Sequence, residues 1–183
     1  MVKFGGRNGW VDRYFYFLMS LVAAGIVVWG FSHTVGVNLI HATPPRPALL
    51  WVHGTVFSSW VVFYIVQTAL VRTHNVRLHR KLGWFGVGLG AAMVVLGTWV
   101  SLVMGHFDLV AEHQADAPTF EIVGFTDMLV FGTLLALAIA WRRKPALHRP
   151  LMFMATCSLL DAAFGRFDSI FNHQITFPAL EGF

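Results

Sequence analysis

Two histidines lie in nearly the same short word of sequence. The word LHRKL at 78–82 returns as LHRPL at 147–151, each time after a basic segment and at the start of an apolar run. Imidazole is a common ligand of metal ions and of haem iron. If His79 and His148 lie at matched depth on two helices, they can face each other and bind one shared metal or porphyrin iron. The alternative is that histidine and arginine at a helix entrance reach toward lipid headgroups and anchor the helix.

A second group of ionisable residues lies inside apolar runs. His53, Asp127 and Asp161 all fall about 8 to 12 Å below the same predicted surface, counting about 1.5 Å per helical residue. A charged group in hydrocarbon costs about 2.5 to 3.5 kcal/mol, so such residues point inward and find partners. Arg166, one turn nearer that surface, can neutralise either carboxylate. We therefore predict a buried protonatable site with these four as candidate catalytic residues; the alternative is a network that only fixes helix packing.

The second apolar run carries a polar stripe. His53, Trp60 and Gln67 recur every seven residues, which drifts by only about 20° per step on an α-helix. An imidazole, an indole and an amide on one face are not expected to point at lipid. Trp60 and Gln67 are therefore candidate cofactor-binding residues together with His79 and His148, and His53 joins the two histidines as a candidate metal ligand. The simpler interpretation is hydrogen bonding between helices.

Glycines form a similar stripe in the third apolar run. Gly83, Gly90 and Gly97 recur every seven residues, and Gly86 with Gly90 forms a small-xxx-small pair. Such a face lets another helix approach closely. It can also leave room for a flat cofactor, and the sequence does not separate the two.

Further possible metal ligands lie in the connections. His33 and His41 follow the first apolar run, and the third connection adds His106, Asp108, Glu112, His113 and Asp116. Imidazole and carboxylate together suit zinc, iron or copper. Their spacing matches no compact metal motif, so we interpret them as solvated loop residues.

These residues must be positioned by membrane-spanning helices. Of the 183 residues, 56% are hydrophobic and only 12% charged, against roughly 25% charged in a soluble domain. A span needs about 20 apolar residues. The apolar runs predict five helices at about 14–32, 48–71, 82–105, 120–141 and 150–167. The fold class is thus an all-α bundle, and the chain is a single transmembrane domain over 1–183.

The basic residues predict the direction of the chain. Lysine and arginine concentrate at 3–13, 72–81 and 142–149, whereas the first connection has only Arg46 and the third has none. By the positive-inside rule the amino terminus is cytoplasmic, and five spans would place the carboxyl terminus outside. The net charge of +4 then reflects topology and does not indicate nucleic-acid binding.

The motifs together resemble a large, functionally uncharacterised family of short bacterial multi-span membrane proteins. The resemblance covers about 14–166 and rests on HG in span two, HR-x-LG opening span three and H-[KR]-x-LM opening span five. Here these are His53-Gly54, 79–83 and 148–152, while Trp60, Gln67, Asp127 and Arg166 also stand at family positions. The resemblance implies a multi-span fold in the bacterial inner (cytoplasmic) membrane, and it implies no activity.

A shorter likeness concerns only 78–83. It is similar to transmembrane b-type cytochromes, whose helices open with a haem-ligating histidine in a word such as LH-x-x-LG. That resemblance implies haem b as a cofactor. The sequence lacks the four mid-helix histidines of that pattern, which argues against two haems.

Three hypotheses of function follow, and whether the chain is an enzyme stays open. The first is a membrane redox protein that binds haem b through His79 and His148 and exchanges electrons with quinone. The second is a small proton-coupled transporter or channel that uses His53, Asp127 and Asp161. The third is a structural or assembly subunit that forms a homo-oligomer or contacts a membrane partner through the glycine face of helix three.

Overall fold

The described part of the chain folds into helices. The computed structural model describes residues 9–42, 44–111 and 117–167, and no strand occurs among them. The helices are α1 (Gly9–Ser32), α2 (Leu49–Arg72), α3 (Val76–Ala111), α4 (Ala117–Ala140), α5 (Pro145–Ser158) and α6 (Asp161–Phe164), with a π-helical turn at Gly36–Ile40 after α1. The predicted all-α fold class is therefore confirmed.

The first four helices are long and apolar enough to cross a bilayer. The spanning stretches are Tyr14–Ser32, Leu49–Arg72, Val76–Val110 and Ile122–Ala140. Large apolar side chains cover their outer faces; Val28, Val95 and Leu129, for example, are 68%, 68% and 70% exposed. Such a surface suits contact with lipid rather than water. By length and composition the chain is a membrane protein.

The fifth predicted span is divided into two pieces. α5 begins at Pro145 and ends at Ser158, and α6 begins only at Asp161. With 14 residues, α5 is about 21 Å long, which is short of the bilayer core of about 30 Å. Near its end the hydroxyls of Thr156 and Ser158 donate to the backbone carbonyls of Met152 and Ala155, contacts that compete with regular helical bonding. The prediction of one continuous helix over 150–167 is therefore wrong.

α3 is the longest helix and is tied to the first connection. Its 36 residues span about 54 Å, so it extends well beyond a bilayer core of about 30 Å. Near its carboxyl end, Asp108 accepts a hydrogen bond from Arg46 at 2.6 Å, and Arg46 also lies over the ring of Phe107. The lone basic residue of the first connection is thus paired.

The five longer helices pack as a closed ring in chain order. Each contacts the next, and α1 closes the ring through α5 and α6. Trp60, Met93 and Phe131 fill the centre and are at most 1% exposed. The ring centroids of Trp60 and Phe131 lie 5.2 Å apart, edge to face. This aromatic centre separates the two ends of the bundle.

Two glycines of the α3 stripe serve close packing. A Cβ at Gly90 would collide with the side chain of Leu135, and one at Gly97 would collide with Met128. Their face is thus covered by the same chain and is not free for a partner protein. Gly83 differs, because no heavy atom lies within 4 Å of the position that its Cβ would take.

We expect Gly90→Leu to destabilise the bundle, because the added side chain would be forced into Leu135. Overpacking an interior typically costs about 1 to 3 kcal/mol. Gly88→Leu is the matched control, since Gly88 is exposed and nothing lies within 4 Å of a Cβ there. The melting temperature of the purified protein in detergent should fall for Gly90→Leu alone. Equal melting temperatures for the two variants would contradict this packing.

The predicted direction of the chain can be tested by cysteine labelling in a Cys157→Ser background. Arg143 and His106 are both exposed and lie near opposite ends of the bundle. Since basic connections stay in the cytoplasm, a membrane-impermeant maleimide should label His106→Cys in intact cells. Arg143→Cys should be labelled only after permeabilisation. The reverse labelling pattern would show that the chain has the opposite orientation in the membrane.

Candidate functional site

A cavity opens at the end of the bundle that carries the two basic connections, 72–81 and 142–149; this end is called the basic end below. Its volume is about 950 Å³, at the upper end of the range typical of small-molecule pockets. All five longer helices contribute walls, among them Phe17, Tyr64, Trp84, Ile139 and Met152. The cavity is therefore a space between helices rather than a groove on one of them.

The two histidines of the repeated word meet in this cavity. His79 lies in the first turn of α3 and His148 in the first turn of α5, and both line the cavity. Their ring centroids are 6.4 Å apart, with ring planes at 72°. Histidine nitrogens on opposite sides of one metal ion lie roughly 4 Å apart, and their ring centres roughly 6 Å apart, given metal–nitrogen bonds of about 2 Å. The observed separation fits such a pair.

The ring of His148 is already held in the orientation that a metal ligand needs. Its Nδ1 lies 2.9 Å from the carbonyl oxygen of Ala138 on α4. A carbonyl only accepts, so Nδ1 carries the proton and donates it. Nε2 then keeps its lone pair, which is how proteins orient many ligating histidines.

His79 and Gln67 present polar atoms without partners. Gln67 is 7% exposed, and neither its amide nitrogen nor its amide oxygen bonds to any part of the chain that the structure describes. Nδ1 of His79 is likewise buried without a partner, although the ring of His79 forms a hydrogen bond with the backbone of Gln67. Buried polar groups are normally paired. Both residues line the cavity, so the unpaired atoms lie close behind its wall.

Trp60 forms the inner wall of the cavity, but its polar atom is engaged. The indole Nε1 donates to Oγ1 of Thr156 at 3.4 Å, and that hydroxyl donates in turn to the carbonyl oxygen of Met152 at 3.0 Å. The predicted stripe on α2 thus faces the bundle interior. Trp60 can supply a flat apolar surface to a ligand and no hydrogen bond.

Arginines surround the mouth of the cavity. Five line it, and no aspartate or glutamate is found with them in the described part of the wall; they are Arg72, Arg80, Arg142, Arg143 and Arg149. The guanidinium of Arg72 lies over the rings of Tyr14 and Phe17, at 4.3 and 5.0 Å from their centroids. That of Arg142 lies 5.7 Å from the ring of Trp84. From the sequence these arginines were interpreted only as indicators of membrane topology. The one feature that could have indicated their position at the cavity is that an arginine directly follows each histidine of the repeated word.

The other predicted site lies at the opposite end of the bundle and is looser. Asp127 is half-buried on α4, whereas Asp161 is exposed as the first residue of α6, because α5 ends before it. The two carboxyl groups interact electrostatically. The ring of His53 stacks on that of Phe57 with centroids 4.0 Å apart. The positive charge of Arg166 acts electrostatically on His53.

This group is not a hydrogen-bonded network. Within 9–42, 44–111 and 117–167, no hydrogen bond joins His53, Asp127 and Asp161, and no three acidic, histidine or cysteine side chains could hold a metal ion. Arg166 donates to the carbonyl oxygen of Ala162 and stacks on Phe31, 4.2 Å from the ring centroid. The prediction that His53 ligates a metal therefore gains no partner from the described residues.

Two of the candidate ligands in the connections already form hydrogen bonds with other residues of the chain. His33 bonds to Ser32 and to the carbonyl oxygen of Trp29, and Asp108 pairs with Arg46. Glu112, His113 and Asp116 lie outside the described residues.

The two candidate sites are well separated. His53 and Gln67 are fourteen residues apart on α2, which is about 21 Å along a helix. The aromatic centre of Trp60 and Phe131 lies between them. Any exchange between the two ends must therefore pass this centre.

No protein-family model, no curated protein and no solved structure matches the chain. The resemblance drawn from its motifs stays a prediction. The function is therefore argued from the geometry of the cavity.

We expect Gln67→Leu to stabilise the ligand-free protein. The substitution removes two buried polar atoms that lack partners, and relief of such a group is worth about 1 to 3 kcal/mol. Thr156→Val is the contrasting variant, because it deprives the indole of Trp60 of its acceptor and should lower stability by about 1 kcal/mol. Thermal melting in detergent measures both. A loss of stability in Gln67→Leu would show that the amide is bonded in the folded protein.

Proposed function

We propose that this chain is a membrane redox protein that holds one haem b between His79 and His148 and exchanges electrons with quinone. The observation that carries the proposal is the pair of facing imidazoles, 6.4 Å apart, inside a cavity of about 950 Å³. We further propose that the protein resides in the bacterial inner membrane with its basic end in the cytoplasm.

The residues of the cavity would suit a flat, mostly apolar cofactor, which His79 and His148 would hold. Gly83 and Gly86 line the cavity, and the absence of a side chain at Gly83 leaves open space beside His79. Aromatic rings from α1, α2 and α3 form the walls. Haem proteins use such apolar, aromatic surroundings together with histidine ligation.

Several residues of the cavity then have a defined physical role. When bound, haem iron supplies one-electron oxidation and reduction. His148 is oriented by the carbonyl of Ala138, so that Nε2 is free to bind. His79 lies on α3, and its ring forms a hydrogen bond with the backbone of Gln67. Trp60 and Phe131 close the inner wall against the opposite end of the bundle.

A visible absorption spectrum with metal analysis on one purified sample tests the proposal. After expression with ample haem, the wild-type protein should show a Soret band that shifts on reduction. His79→Ala and His148→Ala should each lose most of the bound haem, because each removes an axial ligand. His106→Ala, an exposed histidine outside the cavity, is the matched control and should keep the spectrum. A wild-type sample without a Soret band, or histidine variants that retain it unchanged, would refute haem binding.

A proton-coupled transporter or channel is the second candidate. The observation that favours it is the half-buried Asp127 within the membrane-spanning stretch of α4, since acidic groups within spans often mark proton or ion pathways. The haem proposal ranks first because its two key side chains face one defined cavity. The exposure of Asp161 leaves the opposite end less enclosed.

A further inference from the structure

Each histidine of the repeated word is followed by an arginine, and both arginines reach the same cavity. Arg80 follows His79 at the start of α3, and Arg149 follows His148 at the start of α5. Both line the cavity, and both charges act on His79. The repeat therefore brings two cations, as well as two imidazoles, to one place.

The positive charge at the mouth has no negative counterpart in the wall. No carboxylate is present among the described residues that line the cavity. Arg72 and Arg142 stack on aromatic rings at the rim, which supports their side chains without neutralising them. A ligand with acidic groups would supply the missing counter-charge, and arginine is well suited to bind carboxylates through two parallel hydrogen bonds.

We propose that Arg80 and Arg149 form a clamp for two carboxylates of the bound cofactor, whose acidic edge faces the basic end. The inference rests on the proposed function and adds the charge and direction of the ligand: a metal-centred planar dicarboxylate, not a neutral macrocycle. Each arginine is adjacent in sequence to one of the histidines that would hold the cofactor, and both line the same cavity.

Other basic residues at the same helix end serve as a comparison. Arg77 and Lys81 lie on α3 on either side of Arg80 and are exposed; they do not line this cavity, but with Arg80 and Trp84 they line a smaller neighbouring one of about 460 Å³. They suit the general attraction of basic residues to lipid headgroups. The proposed clamp residue Arg80 and the exposed residues Arg77 and Lys81 are therefore different residues of one helix. Substituting one set at a time can distinguish ligand binding from lipid anchoring.

The test compares haemin with its dimethyl ester, in which both carboxylates are neutral. Each is titrated into apoprotein in nanodiscs of neutral phosphatidylcholine, and the ratio of the two dissociation constants is measured. The wild-type protein should bind haemin roughly ten-fold more tightly than the ester, as expected for two partly exposed arginine–carboxylate pairs. In the double variant Arg80→Gln/Arg149→Gln the preference should fall to roughly two-fold or less. The control Arg77→Gln/Lys81→Gln loses the same charge outside the cavity and should keep the wild-type preference.

The failures of the two proposals look different. Equal affinities of the wild-type protein for haemin and ester, with a clear Soret band for both, would refute the clamp and leave haem binding intact. A preference that survives in Arg80→Gln/Arg149→Gln, or that disappears equally in the control, would also refute the clamp. Failure of both ligands to bind the wild-type protein would remove the proposed function, and the clamp with it.

Discussion

The hydrocarbon of a bilayer offers no hydrogen bonds, and this constraint governs the whole bundle. The backbone meets it by forming helices, and buried polar side chains meet it by pairing with one another. Ser20 and Thr68 join α1 to α2 with their hydroxyls 3.1 Å apart, and Trp60 joins α2 to α5 through Thr156. Against this background, His53, Gln67 and His79 are exceptions within the described chain, because each has buried side-chain polar atoms without a hydrogen-bond partner.

Composition and the lengths of the apolar runs were enough to predict the helical class and the existence of four long helices, although α3 extends six residues beyond the predicted run at each end. The predicted run at 48–71, for instance, became Leu49–Arg72. The break after Ser158 could not be predicted in the same way. Hydropathy reports only how apolar each residue is. It does not report the hydroxyl bonds near the break or the contacts of α5 and α6 with α1.

The candidate site was predictable in part. A repeated word with a histidine in each copy suggested that His79 and His148 could face each other, with anchoring at the membrane interface as the alternative, and their ring centroids lie 6.4 Å apart. The cavity around them could not be foreseen, since its wall combines side chains from five helices that are far apart in the sequence. For the same reason the sequence did not place Arg80 and Arg149 at the cavity; there they were interpreted only as markers of cytoplasmic connections. The layer of His53, Asp127 and Asp161 was inferred from depth alone, and depth does not say whether side chains touch.

The hydrogen bond from His148 to the carbonyl of Ala138 has a mechanical consequence. Ala138 lies one helical turn before the basic connection that joins α4 to α5, and the bond is direct and short at 2.9 Å. A tilt of the last turn of α4 would therefore rotate the imidazole inside the bundle, with no need for the helices to separate. The position of the Arg142–Lys144 turn at the basic end is thus coupled through one hydrogen bond to the orientation of the His148 ring.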